Sequence, residues 1–198
     1  MKQTIVYLIR HGAYENPEHL NPGRLPGFPL SSRGKQQIAD LAKLLSTEPI
    51  SSVISSPIER TLETAQIIAK KLNLPVTTDD RLLEVRSPFN GVPGRDVDAL
   101  ARAGTLYTQT YFDQGLERIP EMFHRMDDCI KDIVRKEQGK HVIVVSHGDP
   151  MMSVWFGYRD LDWSKGFAMG DWYLPMGTGF KIEFNIEGEP VTITKFPA

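Results

Sequence analysis

The sequence predicts an α/β fold, a three-layer α/β/α sandwich with a mainly parallel central sheet. Two short, near-continuous β-branched runs, at 4–9 and 142–145, have the pattern of strands buried on both faces. Segments with a helical apolar period lie between the predicted strands. Strands and helices therefore alternate along the chain, which puts helices on the faces of a parallel sheet.

Taken in order, "TIVYLI" is the first strand and runs directly into Arg10, His11 and Gly12. Residues 13–30, rich in Pro and Gly, are expected to form a loop or lid. Ile38, Leu41, Ala42 and Leu45 share one face of a first helix. "SVIS" at 52–55 reads as a strand, followed by "SSPIERTLETAQ". There Ser56 fits an N-cap, Pro57 the first helical position and Glu59 the third, a capping box. The helix it opens would turn Ile58, Leu62, Ala65, Ala69 and Leu72 inward. "PVTT" at 75–78 is a further strand, and 86–116 a second expected loop or lid. The longest helix is expected from about Glu117 to Glu137, with Ile119, Met122, Phe123, Met126, Ile130, Ile133 and Val134 inward. "VIVV" at 142–145 is again a strand, and it ends in Ser146, His147 and Gly148. The aromatic segment 155–177 admits three readings: packing beneath the last strands, a wall for a ligand, or the contact of a homodimer. "GFKIEFNIEGEPVTITKF" closes the chain as a hairpin turning near Glu187, Gly188 and Glu189. With no repeat or linker, residues 1–198 read as a single domain.

Composition narrows the function classes. The net charge is −2 with no long basic run, so a nucleic-acid partner has no electrostatic footprint. No apolar stretch approaches membrane-spanning length. The run Ile5–Ile9 is too short for a secretory signal core. The single cysteine, Cys129, rules out an intrachain disulfide and fits a reducing compartment. A cytoplasmic protein without nucleic-acid or membrane partners is expected.

Ligands of open α/β sheets bind beyond the carboxyl ends of the strands. Arg10, His11 and His147 fall at such ends, and Arg60 falls in the first turn of a helix, where anions are favoured. Glu84 follows the strand at 75–78 by a short link. Each residue alone is unremarkable: a lone strand-end histidine is usually a core or turn residue, and a lone helical arginine is usually solvated. Converging on one rim, they form an anion-binding and acid/base set. Arginine forks neutralise phosphate oxygens, a neutral imidazole can attack phosphorus, and a protonated carboxyl can donate to the leaving oxygen. The chemistry indicated is phosphoryl transfer without a metal. The five histidines show no metal-ligand spacing, and no phosphate-binding P-loop motif occurs. Cys129 and Arg135 have the spacing of a cysteine phosphatase but lie inside a periodic helix, whose N–H groups are already engaged.

"LIRHG", "PLSSRGKQQIADLAKLL", "VISSPIERTLETAQIIA", "RLLEV" and "VIVVSHG" resemble, in order, the landmarks of the histidine phosphatase superfamily. That superfamily includes cofactor-dependent phosphoglycerate mutases and many small phosphatases. The resemblance implies a phosphoglycerate mutase-like fold, His11 as the nucleophile that becomes phosphohistidine, Arg10, Arg60 and His147 as holders of the phosphoryl group, and Glu84 as acid/base. The chain departs from the family pattern after the first His-Gly, where it carries Ala13, Tyr14, Glu15 and Asn16. After the second it carries Asp149-Pro150 where mutases commonly have Asn-Ser. A further carboxylate beside a twice-phosphorylated ligand is unfavourable, which favours a phosphatase. The expectation is a metal- and cofactor-independent phosphatase of a small phosphorylated substrate. The alternatives are a phosphoglycerate mutase and a non-catalytic phospho-ligand sensor. Asn16 and Arg24 are expected to contact substrate, and Arg86, Arg95, Arg102, Phe89, Tyr107 and Tyr111 are candidates for the leaving-group side.

Overall fold

The structure is a computed structural model that describes residues 3–164, 166–167 and 173–197. In chain order its elements are β1 (Thr4–Arg10), α1 (Ser32–Leu45), β2 (Ile50–Ser55), α2 (Glu59–Leu72), β3 (Val76–Thr78), α3 (Gly94–Arg102), α4 (Gln109–Phe112), α5 (Ile119–Lys136), β4 (His141–Ser146), α6 (Gly148–Gly157), β5 (Gly179–Phe184) and β6 (Pro190–Phe196). The described strands form one sheet in the order β3-β2-β4-β1-β5-β6. The first four run parallel, and the C-terminal hairpin adds β5 antiparallel to β1 and β6 antiparallel to β5.

The β-branched runs lie at the centre because β1 and β4 are covered on both faces. Tyr7, Ile9, Val53, Ile143 and Val145 point to one side and pack on Ile38, Leu41 and Leu45 of α1 and Ala65 and Ile68 of α2. Val6, Leu8, Val142 and Val144 point to the other side, against Met122, Met126 and Ile130 of α5 and Met151 and Val154 of α6. The two-residue alternation of strands thus builds two cores from one sheet. Each fully buried aliphatic side chain contributes roughly 1.5–3 kcal/mol. The helices consequently hold β1 and β4 rigidly, and the site grows from the ends of these two strands.

Several elements differ from the sequence expectation. Helix α2 begins at Glu59 with Ile58 as its N-cap, and no side chain caps it. Ser56 is not the cap: it lies two residues before Ile58, and its hydroxyl meets His147 Nε2 at 2.9 Å. The buried face of α2 is Arg60, Thr61, Thr64, Ala65, Ile68 and Ala69, whereas Ile58, Leu62 and Leu72 are half-buried. Segment 86–116 is more than a loop: it carries α3 and α4 around a small satellite core of Ala101, Leu106 and Leu116. Helix α6 has no amphipathic signal, since Met151, Met152, Ser153 and Val154 are all buried and no polar face interrupts the apolar run. The aromatic segment divides. Trp155 stacks on Phe180 at 4.8 Å and Tyr158 meets Phe184 edge-on, both over β5. Phe167 and Tyr173 instead line the cavity described below. Residues 165 and 168–172 of that segment lie outside the described residues.

Candidate active site

Both His-Gly steps leave the sheet at neighbouring positions. Arg10 pairs with Ser146 across β1 and β4, and the His11 backbone N–H donates to Ser146 O at 3.2 Å. Each glycine then permits a close approach. A Cβ on Gly12 would lie 2.8 Å from Ile38 Cγ1 and 3.1 Å from Gly34 O, so the first turn of α1 rests directly on this backbone. A Cβ on Gly148 would lie 2.3 Å from the Tyr173 hydroxyl and 3.2 Å from Arg10 Cζ. Side chains at these positions would push the site apart.

His11 and His147 are buried, with ring centroids 5.4 Å apart. His11 Nδ1–H donates to Gly12 O at 2.9 Å, which leaves the lone pair on Nε2, where it accepts from Arg60 Nε at 3.2 Å. A guanidinium can only donate, so the tautomer of His147 is fixed as well. Its Nδ1 accepts from Arg60 Nη2 at 3.0 Å, and its Nε2–H donates to Ser56 Oγ at 2.9 Å. Burial holds both imidazoles well below the usual histidine range, and the charge of Arg60 adds to the effect. Two neutral, oriented imidazoles result.

Arg60 is buried, and Nη2 also donates to Gly23 O at 2.9 Å, which ties segment 13–30 to the site. Arg10 Nη1 donates to Leu174 O at 2.5 Å. Arg10 Nε and Arg60 Nη1 are buried without a hydrogen-bond partner among the described residues. Buried donors are nearly always satisfied, so two orphaned guanidinium N–H groups beside one cavity mark an acceptor site.

Glu84 Oε2 lies 3.7 Å from both Arg60 Nη2 and His147 Nδ1. Its Oε1 accepts from the Val85 N–H at 2.9 Å. Burial raises its carboxyl above the usual range, and the nearby Asp149 charge raises it further, outweighing the opposing pull of Arg60. The Glu84 backbone is fixed from behind. Arg24 Nε donates to Glu84 O at 2.7 Å and Arg125 Nη2 at 3.5 Å. Arg125 Nε also holds the buried Glu117 carboxylate, at 2.6 Å.

A cavity of about 510 Å³ opens in front of these groups. Its wall includes Arg10, His11, Arg60, Glu84, Tyr14 and Asp149. The Arg60 guanidinium lies over the Tyr14 ring at 5.6 Å, and Tyr14 meets His11 edge-on. Asp149, in the first turn of α6, accepts from the Tyr107 hydroxyl on Oδ2 and the Tyr173 hydroxyl on Oδ1, both at 2.5 Å. Burial pushes both phenols well above their ordinary range, and the Asp149 charge pushes them the same way, so they remain donors.

The structure brings Arg10, His11, Arg60, Glu84 and His147 together, and Asn16 joins the cavity wall. The Asn16 side chain is engaged locally, accepting from Leu20 N at 3.0 Å and donating to Leu20 O at 2.8 Å. Arg24 does not line the cavity. It points to the back of the Glu84 loop and to Glu117, 3.7 Å away, because those acceptors lie on its own side of the chain. Of the other arginines and aromatics expected on the leaving-group side, Arg95 and Tyr107 line the cavity. Phe89 and Tyr111 pack on each other in the satellite core, and Arg86 and Arg102 are exposed away from the lining. Tyr14, Asp149 and Tyr173 were not among the expected site residues. Asp149 had a signal, its place directly after the second His-Gly. No group of three or more His, Cys, Asp or Glu among the described residues could hold a metal.

Comparison with known proteins agrees with this geometry. The profile of the histidine phosphatase superfamily (branch 1) matches residues 6–170. Phosphoserine phosphatase 1 of Hydrogenobacter thermophilus is 31% identical over 173 residues, covering 82% of this chain and 80% of the relative. A probable phosphoglycerate mutase, GpmB of Enterobacter sp., is 32% identical over 152 residues, covering 72% and 69%. Among solved structures, YhfR of Bacillus stearothermophilus superposes with a TM-score of 0.81 at 26% identity, covering 96% of this chain and 95% of the other. The chain, with its two strand-end His-Gly steps and shared arginine cradle, belongs to the histidine phosphatase superfamily, branch 1.

Proposed function

We propose that this protein hydrolyses a phosphomonoester through a phosphohistidine intermediate. The observation that carries this reading is the His11 imidazole. It is neutral, fixed through Nδ1, and presents its Nε2 lone pair beside two guanidinium groups, each with a buried, unpartnered nitrogen. Phosphate oxygens would satisfy those donors, and the Arg60 Nε–H now held by Nε2 would turn to the phosphoryl group. His11 Nε2 then attacks phosphorus as the bond to the ester oxygen breaks, and Glu84 delivers its proton to that oxygen. In the second half, Glu84 as carboxylate takes a proton from water, the water oxygen attacks phosphorus, and the N–P bond returns its electron pair to His11. His147, donating through Nε2 to Ser56, keeps the Nδ1 lone pair for the phosphoryl side, where it would accept the O–H proton of a phosphate ester bound as its monoanion.

Relatives named as mutases favour a second reading, in which the phosphoryl group returns to the substrate instead of to water. That reading requires room for two anionic groups on one ligand. Asp149, which stands beside Glu84, opposes it.

Purified protein should cleave p-nitrophenyl phosphate, and EDTA should leave the rate unchanged, because arginines supply the positive charge. Loss of activity on chelation with recovery on Mg²⁺ or Zn²⁺ would refute the mechanism. A rate on phosphoglycerate that depends on added bisphosphoglycerate would establish the mutase reading instead. Arg60→Ala should lower kcat/KM by about 10²–10³-fold, the usual cost of removing one preorganised donor from a transition-state oxyanion. An unchanged kcat/KM would remove Arg60 from the phosphoryl site.

A further inference from the structure

Resting on the phosphatase reading, we propose that Asp149, clamped by Tyr107 and Tyr173, makes the leaving-group side of the cavity select phosphomonoesters whose alcohol carries no second anionic group. Both carboxylate oxygens of Asp149 are tied to a phenol, at 2.5 Å each, so the group cannot swing out of the way of a ligand. The phenols come from opposite sides, Tyr107 from the α3–α4 connection and Tyr173 from the segment before β5. Arg10 is the cation beside the start of α6, its Cζ 3.2 Å from where a Gly148 Cβ would stand and 5.3 Å from the Tyr173 ring centroid, but its Nη1 is held by Leu174 O.

Arg10 and Arg60 stand at the phosphoryl end with His11 and His147, and Glu84 reaches the same end, 3.7 Å from Arg60 Nη2 and His147 Nδ1. The other charged or imidazole side chains of the lining are Asp149, Asp98, His19 and Arg95. Arg95 is 88% exposed and its Nε already faces Asp96 at 3.6 Å, so it adds little attraction inside. The uncharged remainder of the wall is mixed, with Val97, Ala101, Leu106, Leu116 and Phe167 beside the polar Asn16, Asn21 and Ser87. A volume of about 510 Å³ leaves room for a leaving group well beyond the phosphoryl group itself. A neutral or ammonium-bearing alcohol meets no like charge at Asp149, whereas a carboxylate or second phosphate faces a fixed one.

The test separates this selectivity from catalysis by using ligands that cannot turn over. Phosphonobutyramide and phosphonobutyrate have nearly the same shape and differ in one negative charge. Isothermal calorimetry on wild-type protein should show the amide binding roughly tenfold or more tightly than the acid, the size expected of one like-charge contact. In Asp149→Asn the difference should shrink to about threefold or less, with Asp149→Ser as the substitute if the first variant does not fold. Equal or tighter binding of the acid by the wild-type protein would overturn the proposal, and so would an undiminished difference in the variant. Failure of the phosphatase reading looks different: p-nitrophenyl phosphate would not be cleaved, while the order of the two phosphonates could still be measured.

Discussion

His11→Ala should reduce cleavage of an aryl phosphate by at least about 10⁴-fold, because removing a covalent nucleophile takes away the whole first step and not one contact in it. The chain should still fold. His11 is buried, but its side-chain partners are Gly12 O and Arg60, and the sheet is held by the two apolar cores on either side of β1 and β4. Circular dichroism and rapid-quench trapping of the phosphoenzyme provide the check. The variant should retain its far-ultraviolet spectrum and form no acid-labile, base-stable phosphoprotein. A variant that turned over at an appreciable fraction of the wild-type rate would transfer the nucleophile role elsewhere, with His147 the first candidate. The acid limb of the wild-type profile follows from the same residue. The His11 pKa lies well below the usual histidine value, so activity should persist at mildly acid pH and fall when the imidazole is finally protonated.

Glu84→Gln should slow alkyl phosphates by about 10²–10⁴-fold and p-nitrophenyl phosphate far less in the phosphorylation step. An alkoxide cannot leave without a proton, whereas p-nitrophenolate can. The substitution keeps the shape and the bond from the Val85 N–H but removes the transferable proton. The sign of the pH dependence follows from the raised carboxyl. The acid form survives to higher pH than an ordinary glutamate, and alkyl ester cleavage should decline as pH rises through that raised value. Asp149→Asn removes the negative charge that helps hold the proton, so in that variant the decline should begin at lower pH. Rapid-quench rates on both substrates across pH test this. Equal losses on the two substrates in Glu84→Gln would reduce Glu84 to a positioning residue.

The layers, the strand ends and the positions of Arg10, His11, Arg60 and His147 were legible along the chain. Each rests on a local signal: β-branched runs long enough to mark doubly buried strands, helical apolar periods, and polar residues placed at or just after a strand end. Glu84, six residues past β3 among other acids, was singled out by the family resemblance. Because strands of one parallel sheet end on one edge, Arg10, His11 and His147 were placed on one rim, and the adjacency of β1 and β4 in the folded sheet brings them together. Arg60, in the first turn after β2, was legible for the same reason, although the cap that seemed to place it was wrong. Ser56 matches the capping pattern, but the helix starts three residues later, at Glu59, and the Ser56 hydroxyl meets a buried imidazole 91 positions along the chain.

Only the tertiary structure decided the rest. Arg24 and Asn16 were plausible ligands by type and location, yet Arg24 turns to carbonyl and carboxylate acceptors behind Glu84, and Asn16 closes a turn with Leu20. Helix α6 was invisible because burial on every side erases the amphipathic period by which helices are recognised. The clamp of Tyr107 and Tyr173 on Asp149 joins three segments whose sequences carry no sign of one another. Periodicity and strand-end placement are properties of neighbouring residues and can be read along the chain. Which acceptor a long polar side chain finds, and which charges face one another across a cavity, depends on distances that exist only after the chain has closed on itself.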